Sequence, residues 1–209
     1  MVINIRGTSG SGKTTAVRQL LNLCGVQTQC LMDGKVLATS VVLPNGIPLF
    51  AIGSYASVCG GCDTMHTQDM ICSVPRYYSQ FGHVVFEGMI FSSTWARYAA
   101  LNDEFVHMGI EYVWLYLDTP LEMCLENVRR RRAARGVAKK EFNPTNTISK
   151  YHGVIKTMDL AMAAGYDVRT LHYAGDTAAQ LLDVLCSSTG YALWDDCYRE
   201  WNGSIGGHV

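Results

Sequence analysis

The sequence predicts an α/β fold in three layers, with a parallel sheet between two layers of helices. Strand-sized apolar runs alternate along the chain with amphipathic stretches at helical spacing, and such alternation favours parallel strands joined by right-handed crossovers. The first of these strands runs directly into a glycine-rich turn and then a helix. Five core strands are therefore expected, near residues 2–6, 48–54, 83–87, 112–117 and 167–173.

A β-hairpin over residues 26–46 is expected as an antiparallel addition at the edge or rim of this sheet. Turn signals at Asp33-Gly34 and at Pro44-Asn45-Gly46 separate runs rich in valine, leucine and threonine, which is the usual signature of a hairpin.

Several helix ends can be predicted from capping residues and prolines. A helix is expected from about residue 64 to residue 74, where Pro75 would close it. Ser92 or Ser93 is suited to cap the next helix. The tail carries aromatic residues that are expected to pack in part against the body, namely Trp194, Tyr198 and Trp201.

The clearest helix start follows the fourth core strand. Thr119, Pro120 and Glu122 fall at the N-cap, the first helical position and the third, which are the positions these residue types prefer. An arginine run then emerges from the last turn of the same helix.

Composition excludes several classes of protein. The chain has 209 residues, 48% of them hydrophobic, with 17 basic against 18 acidic side chains and a net charge of −1. This length predicts one domain over residues 1–209, and the charge balance does not fit a protein that binds nucleic acid by bulk charge alone. The apolar runs fall short of the ~20 residues that span a membrane. The glycine turn beginning at Gly7 leaves no room for a cleavable leader, so a cytoplasmic protein is expected; its oligomeric state is left open.

One cysteine pattern resembles a metal site. Cys59 and Cys62, with His66 and Cys72 nearby, invite a zinc interpretation. A structural zinc ion needs four ligands at tight spacing, and the chain has a single Cys-x-x-Cys pair. Reduced thiols are the default expectation for a cytosolic protein.

The glycine turn matches a phosphate-binding loop in full. The pattern G-x-x-x-x-G-K-[ST] lies between a strand and a helix, which is the context it requires. Its backbone N–H groups and the helix N-terminus would bind phosphate oxygens. Lys13 would reach the β- and γ-phosphates and Thr14 would ligate Mg²⁺. The residues expected to bind nucleotide here are Gly7, Thr8, Ser9, Gly10, Ser11, Gly12, Lys13, Thr14 and Thr15.

Four sequence blocks carry a resemblance to a known family: GTSGSGKTT, the strand end FEG, LYLDTPLEMCLENVRRRR and AGYDVRTL. No Asn/Thr-Lys-x-Asp motif of a switch GTPase follows the strand near 112–117. The blocks resemble P-loop nucleoside and nucleotide kinases, and the whole pattern most resembles the bacteriophage kinases that phosphorylate 5-hydroxymethyluracil within DNA. This resemblance implies a three-layer P-loop kinase fold that uses ATP and Mg²⁺.

The resemblance also gives the arginine run a role. Seven basic residues and no acid lie between Arg129 and Lys140, where kinases of this type carry a mobile lid, here about residues 129–148. Lid arginines clamp the transferring phosphoryl group. This implies that Arg131 acts in catalysis and that Arg129 and Arg132 bind the nucleotide. The alternative is a solvated helix face.

Two carboxylates occupy places that matter in such kinases. Asp63 follows the second core strand, where the family often has a general base, and Glu87 ends the third strand, where an acidic residue lies near Mg²⁺ or the acceptor. The catalytic set implied is thus Lys13, Asp63, Glu87 and Arg131, with Thr14 and Glu87 at the metal. Asp63 has the alternative role of capping a helix that begins at Thr64, and Glu87 that of bonding a backbone N–H.

The resemblance implies transfer of the ATP γ-phosphoryl group to the hydroxymethyl oxygen of a base in DNA, with that base extruded from the duplex. Outside the basic run, 10 basic residues face 18 acidic ones, which argues against a large DNA footprint. Two alternatives stay open. One is a kinase of a free nucleoside, nucleotide or other small hydroxylated metabolite, and the other is a nucleotide-dependent switch or adaptor without an acceptor.

Overall fold

A computed structural model describes residues 1–56, 60–65, 67–136 and 142–187 of the chain. Within these ranges seven strands form one sheet in the order β2-β3-β4-β5-β1-β6-β7. The strands are β1 (Val2–Arg6), β2 (Thr28–Met32), β3 (Lys35–Val42), β4 (Pro48–Ile52), β5 (His83–Glu87), β6 (Tyr112–Leu117) and β7 (Asp167–Leu171).

The sheet is mixed, as its pairing shows. The neighbours β4, β5, β1, β6 and β7 pair in parallel, whereas β2 and β3 pair antiparallel beyond β4. The predicted hairpin is therefore confirmed, and it lies at one edge of the sheet. Because β1 lies between β5 and β6, the carboxyl ends of these three strands meet at the centre of one sheet edge, where ligands of such folds bind.

Helices cover both faces of the sheet, which confirms the α/β class. The helices are α1 (Lys13–Leu23), α2 (Gln68–Tyr78), α3 (Ala96–His107), α4 (Leu121–Ala134), α5 (Thr145–Ala163) and α6 (Thr177–Cys186). Side chains of β1 alternate between the faces: Val2 packs in one apolar cluster with α2, α3 and α5, and Ile3 and Ile5 pack in the other with α1 and α6. This alternation is the period of a strand buried on both sides.

The prediction for α2 is wrong at both ends. The helix begins after Thr67, whose hydroxyl oxygen accepts from the Met70 N–H at 3.1 Å, and a 3-10 turn occupies Cys62–Thr64 instead. Pro75 lies inside the helix. The helix continues past Pro75 to Tyr78, which is buried and stacked on Phe50 at a ring separation of 4.8 Å, and that packing offsets the backbone bond that proline cannot make.

Two predicted caps are also wrong, for a common reason. The Ser92 hydroxyl donates to the Gly88 carbonyl at 2.5 Å, and α3 begins four residues later without a side-chain cap. The Thr119 hydroxyl donates to the Ser11 carbonyl at 2.7 Å, and α4 likewise has no side-chain cap. Both hydroxyls are thus engaged away from the helix start: Ser92 binds a carbonyl four residues earlier in the turn after β5, and Thr119 binds a loop that is distant in sequence.

Some expectations concern residues outside the described ranges. These are the roles of Cys59 and His66 in a zinc site, part of the expected lid, and the tail residues Trp194, Tyr198 and Trp201. Within the described part, no group of three or more potential metal-binding side chains of His, Cys, Asp or Glu occurs. No described helix combines the length and apolar character needed to cross a membrane.

Candidate active site

The loop between β1 and α1 owes its shape to two glycines. Gly10 and Gly12 have φ of 82° and 100°, a region that other residues rarely adopt. A Cβ atom on Gly10 would lie 2.3 Å from the Cys124 carbonyl oxygen, so the loop also requires glycine there to approach α4. The loop and the first turn of α1 form a cradle of the kind predicted from the sequence.

Lys13, the first residue of α1, folds back over this loop. Its Nζ donates to the Gly7 carbonyl at 2.6 Å and to the Thr8 carbonyl at 3.0 Å. The ammonium is buried, and burial lowers the pKa of Lys13, although the nearby carboxylate of Glu87 acts in the opposite direction. A desolvated cation in the cradle is strongly attracted to a phosphate.

Helices α4 and α5 hold the loop from its other side. The Asn127 amide of α4 donates to the Gly10 carbonyl at 2.8 Å, and the Thr119 hydroxyl, two residues before α4, donates to the Ser11 carbonyl. The Thr8 hydroxyl donates to the Thr147 carbonyl of α5 at 3.1 Å. Three hydrogen bonds thus fix the loop independently of Lys13.

Thr14 and Glu87 meet at the edge where β1 and β5 end. The Thr14 hydroxyl donates to Glu87 Oε1 at 2.7 Å, and the Glu87 side chain is buried. Burial raises the pKa of Glu87 to about 7, opposed by the charge of Lys13 and by the hydrogen bond from Thr14. A hydroxyl and a carboxylate side by side form an oxygen donor set that suits Mg²⁺.

Asp63 lies next to this pair, in the 3-10 turn after β4. Its carboxylate accepts from the Met89 N–H at 2.9 Å, so the alternative role of Asp63 as the cap of a helix at Thr64 is wrong. Glycine at position 61 lets the backbone of this turn lie against Glu87, because a Cβ atom at that position would lie only 2.5 Å from Glu87 Oε1. The turn therefore brings the exposed Asp63 carboxylate beside the buried Glu87 carboxylate.

These groups line one cavity of about 540 Å³. The predicted residues that line it are Ser9, Gly10, Ser11, Gly12, Lys13, Thr14, Thr15, Asp63, Glu87 and Arg131. Seven further residues line this cavity and were not predicted as site residues from the sequence: Met89, Leu117, Thr119, Met123, Asn127, Tyr173 and Thr177. One signal was available, since Met123, Asn127 and Arg131 share a face of α4 at spacings of four residues. Tyr173 and Thr177 carry no comparable signal.

The arginines of α4 lie on different faces of the helix. Arg131 lines the cavity. The guanidinium carbons of Arg129 and Arg132 lie 5.4 and 5.8 Å from the ring centre of Phe142, and Arg130 donates to the Asn127 side chain at 2.8 Å. Four consecutive residues span a full helical turn, so they cannot all face one ligand.

Comparison with known proteins identifies relatives in bacteriophages. The chain is 36% identical over 170 residues to a 5-hmdU DNA kinase of Pseudomonas phage PaMx11, covering 80% of this chain and 88% of the relative. It is 28% identical over 201 residues to a 5-hmdU DNA kinase of Pseudomonas phage M6, covering 90% and 98%. A 5-hmdU DNA kinase of Delftia phage PhiW-14 is 27% identical over 199 residues, covering 90% and 73%. No protein-family model matches the chain.

A phosphate-binding-loop sequence at the carboxyl edge of the sheet, beside the lysine, threonine and carboxylate side chains of one cavity, suits the transfer of phosphate from a nucleotide. With these relatives, the class of the protein is a kinase. Within that class, the chain belongs to the 5-hmdU DNA kinases of bacteriophages. The family resemblance predicted from the sequence is confirmed.

Proposed function

We propose that this chain moves the γ-phosphoryl group of ATP to the hydroxymethyl oxygen of 5-hydroxymethyluracil in DNA. The observation that carries the proposal is the grouping of Lys13, Thr14, Glu87 and Asp63 around one cavity in a chain whose relatives are named 5-hmdU DNA kinases. The proposal includes a P-loop kinase fold with a lid near residues 129–148, and action in the cytoplasm of the phage host.

In the proposed reaction the hydroxymethyl oxygen attacks the γ-phosphorus while the bond from that phosphorus to the β–γ bridging oxygen breaks, which releases ADP. Asp63 takes the proton of the hydroxyl group. An exposed carboxylate at the surface of the cavity suits this role, because it is accessible to an acceptor. Lys13 and the loop N–H groups hold the polyphosphate, and Arg131 neutralises charge on the group in transfer.

Thr14 and Glu87 would hold Mg²⁺, since a hydroxyl and a carboxylate 2.7 Å apart at the cradle supply the oxygen ligands this ion prefers. When bound, the ion would neutralise charge on the phosphate oxygens. Burial raises the pKa of the Glu87 carboxyl to about 7, and the charge of Lys13 opposes this increase. A cation bound beside the carboxyl would further stabilise its ionised form.

An acceptor base in duplex DNA would have to leave the stack to reach Asp63. The exposed arginines Arg129 and Arg130 of α4 would then contact the phosphate backbone near the extruded nucleotide. Such contacts release counterions, so the KM for DNA should rise with salt concentration.

The test is incorporation of label from γ-labelled ATP into DNA. Four acceptors are compared: DNA that contains 5-hydroxymethyluracil, the same DNA with thymine, the free deoxynucleoside of 5-hydroxymethyluracil, and the monophosphate of that deoxynucleoside. Label confined to the DNA with the modified base supports the proposal. Label only in free acceptors would indicate a small-molecule kinase, and bound nucleotide without any product would indicate a switch. The Lys13→Ala variant is the inactive control, and Lys35→Ala on β3 is the matched control for removal of a lysine.

A further inference from the structure

Arg6 is a buried charge at the centre of the molecule. It ends β1, directly before the phosphate-binding loop, and its exposed fraction is 0%. No salt bridge of Arg6 occurs within the described ranges. Burial lowers the pKa of the Arg6 guanidinium. Burial of a cation costs folding free energy unless its N–H donors have acceptors. The contacts of Arg6 therefore indicate its role in the molecule.

Those contacts join β1 to the segment that follows β5. Arg6 Nη1 donates to the Ser92 carbonyl at 3.3 Å and to the Thr94 carbonyl at 3.0 Å. The guanidinium carbon lies 4.1 Å from the ring centre of Trp114 on β6. With the Asn4 amide oriented to satisfy its neighbours, the Asn4 oxygen accepts from Nη2 and Nε at 3.2 and 3.3 Å. Only the planar guanidinium group of arginine has N–H donors that point to all of these acceptors while its face stacks on an aromatic ring.

Ser92 also joins this segment to the phosphate-binding loop, to the end of β5 and to α5. Its hydroxyl donates to the Gly88 carbonyl at 2.5 Å, and its Oγ lies 3.5 Å from the Gly7 N–H. The Thr157 hydroxyl of α5 lies 3.2 Å from the Ser92 carbonyl and 2.8 Å from the Val154 carbonyl, and these two acceptors share its one proton. The segment 88–94 is thereby fixed to the stem of the phosphate-binding loop, to the end of β5 and to α5.

The same segment holds Asp63. The Met89 N–H that donates to the Asp63 carboxylate at 2.9 Å follows Gly88, whose carbonyl accepts from Ser92. A displacement of the segment would therefore move the partner of Asp63. The phosphate-binding loop itself has separate supports in Lys13, Thr119 and Asn127, so it does not depend on Arg6 alone.

We propose that Arg6 is a positioning residue that sets the Asp63 carboxylate against the bound γ-phosphoryl group through segment 88–94. The inference rests on the proposed role of Asp63 in phosphoryl transfer. Loss of Arg6 leaves nucleotide binding in place and lowers transfer to the acceptor hydroxyl, because proton removal depends on geometry and a displacement of about 1 Å can cost ~10²-fold. Reaction of the bound nucleotide with water depends less on that alignment, because water is small and can approach the phosphorus in several orientations, whereas the acceptor hydroxyl is held in one.

The experiment compares Arg6→Lys and Arg6→Met with Arg169→Met, in which an arginine that pairs with Glu111 and Asp167 on the amino side of β6 and β7 is removed. Four quantities are measured for each full-length variant: the Kd of a non-hydrolysable ATP analogue, the kcat for DNA containing 5-hydroxymethyluracil, the rate of ATP hydrolysis without DNA, and the Tm. For both Arg6 variants we expect a kcat for transfer about 10- to 100-fold below that of Arg169→Met, with the Kd and the hydrolysis rate within about threefold of the unmodified protein.

A proportional fall of transfer and hydrolysis, or an unchanged transfer rate, would overturn the proposal. If the Arg6 variants do not fold, Ser92→Ala and Thr157→Val test the proposal instead, because they weaken the same connection without removing a buried charge. These two variants should lower the ratio of the transfer rate to the hydrolysis rate. An unchanged ratio overturns the proposal. If the unmodified protein labels only a free acceptor, the proposed function fails while the same ratio, measured with that acceptor, still tests Arg6. Absence of transfer to every acceptor overturns both.

Discussion

The hydroxyl of Thr14 and the carboxylate of Glu87 are joined by a hydrogen bond of 2.7 Å, although the two residues belong to different strand–helix units. The contact exists because β1 and β5 are neighbours in the sheet, with Ile5 opposite Glu87. It places the start of α1 and the end of β5 at one point, where a hydroxyl, a carboxylate and the cradle for phosphate come together.

The first prediction concerns this pair. Glu87→Gln keeps the size of the side chain and an acceptor for Thr14, but removes the negative charge that would hold Mg²⁺. We expect kcat to fall about 10²-fold or more, with a higher Mg²⁺ concentration needed for half-maximal activity. Steady-state rates over a Mg²⁺ titration measure both, and Glu122→Gln at an exposed site on α4 is the control. An unchanged Mg²⁺ requirement would refute the metal role of Glu87.

Asp63→Asn tests the proposed general base. The amide cannot accept the proton, so kcat should fall by roughly 10²–10⁴ while the Kd of an ATP analogue stays within twofold, because Asp63 is not part of the phosphate cradle. The control is Asp69→Asn, which removes an exposed carboxylate paired with Arg97. Equal losses in the two variants would mean that Asp63 has no special role.

Gly10 and Gly109 form a matched pair for the phosphate-binding loop. Both have positive φ, 82° and 74°, but a Cβ atom on Gly10 would lie 2.3 Å from the Cys124 carbonyl oxygen whereas nothing lies within 4 Å of one on Gly109. Gly109→Ala should lower stability by about 1 kcal/mol, the cost of the backbone conformation. Gly10→Ala should in addition lose affinity for the ATP analogue. Thermal unfolding and binding titrations separate these effects, and similar behaviour of the two variants would contradict the prediction.

Among the arginines of α4, Arg131 is predicted to matter most for turnover. Arg131 lines the cavity, whereas the side chain of Arg130 is exposed and donates to the Asn127 side chain. Arg131→Ala should lower kcat at least tenfold, because charge on the group in transfer is less well neutralised, and Arg130→Ala should change kcat by no more than about twofold. Single-turnover measurements at saturating ATP distinguish them. A larger effect of Arg130 would place the clamp on a different face of α4.

His83 is predicted to make stability depend on pH. It is buried at the start of β5, and burial, with the nearby N-terminal ammonium, lowers the pKa of His83 to about 3. In the unfolded chain a histidine has a pKa near 6.5, so between these values the unfolded state binds more protons than the folded state. Folding free energy is therefore lost progressively as the pH falls from about 6.5 towards 3.

Chemical denaturation at several pH values tests this linkage. In His83→Gln the loss of stability between about pH 6.5 and 4.5 should be smaller, whereas His107→Gln, at an exposed position, should behave as the unmodified protein does. Parallel curves for all three proteins would contradict the assignment.

A feature of the site could be predicted from the sequence where adjacent residues form it, and could not where it depends on the fold of the chain. The cradle from Gly7 to Thr14 could be recognised because its shape arises from adjacent residues between a strand and a helix. The absence of caps at Ser92 and Thr119 could not be recognised, since it depends on the folding of the turn after β5, where Ser92 donates to the Gly88 carbonyl, and on the distant Ser11 carbonyl, to which Thr119 donates. The prediction from Pro75 was wrong because the packing of the buried Tyr78 against Phe50 outweighs the local cost of a proline inside the helix.

The sequence by itself determined the class of the fold, the phosphate cradle and the kinase family, because periodicity, glycine placement and motif spacing are local properties of the chain. Only the tertiary structure decided which side chains share the cavity: strand order brings Glu87 to Thr14, helical phase selects Arg131 from four consecutive arginines, and Arg6 is seen to bind the segment after β5. The physical reason is that each of these contacts joins residues far apart along the chain, and their distance is fixed by packing of the whole sheet and not by any local preference.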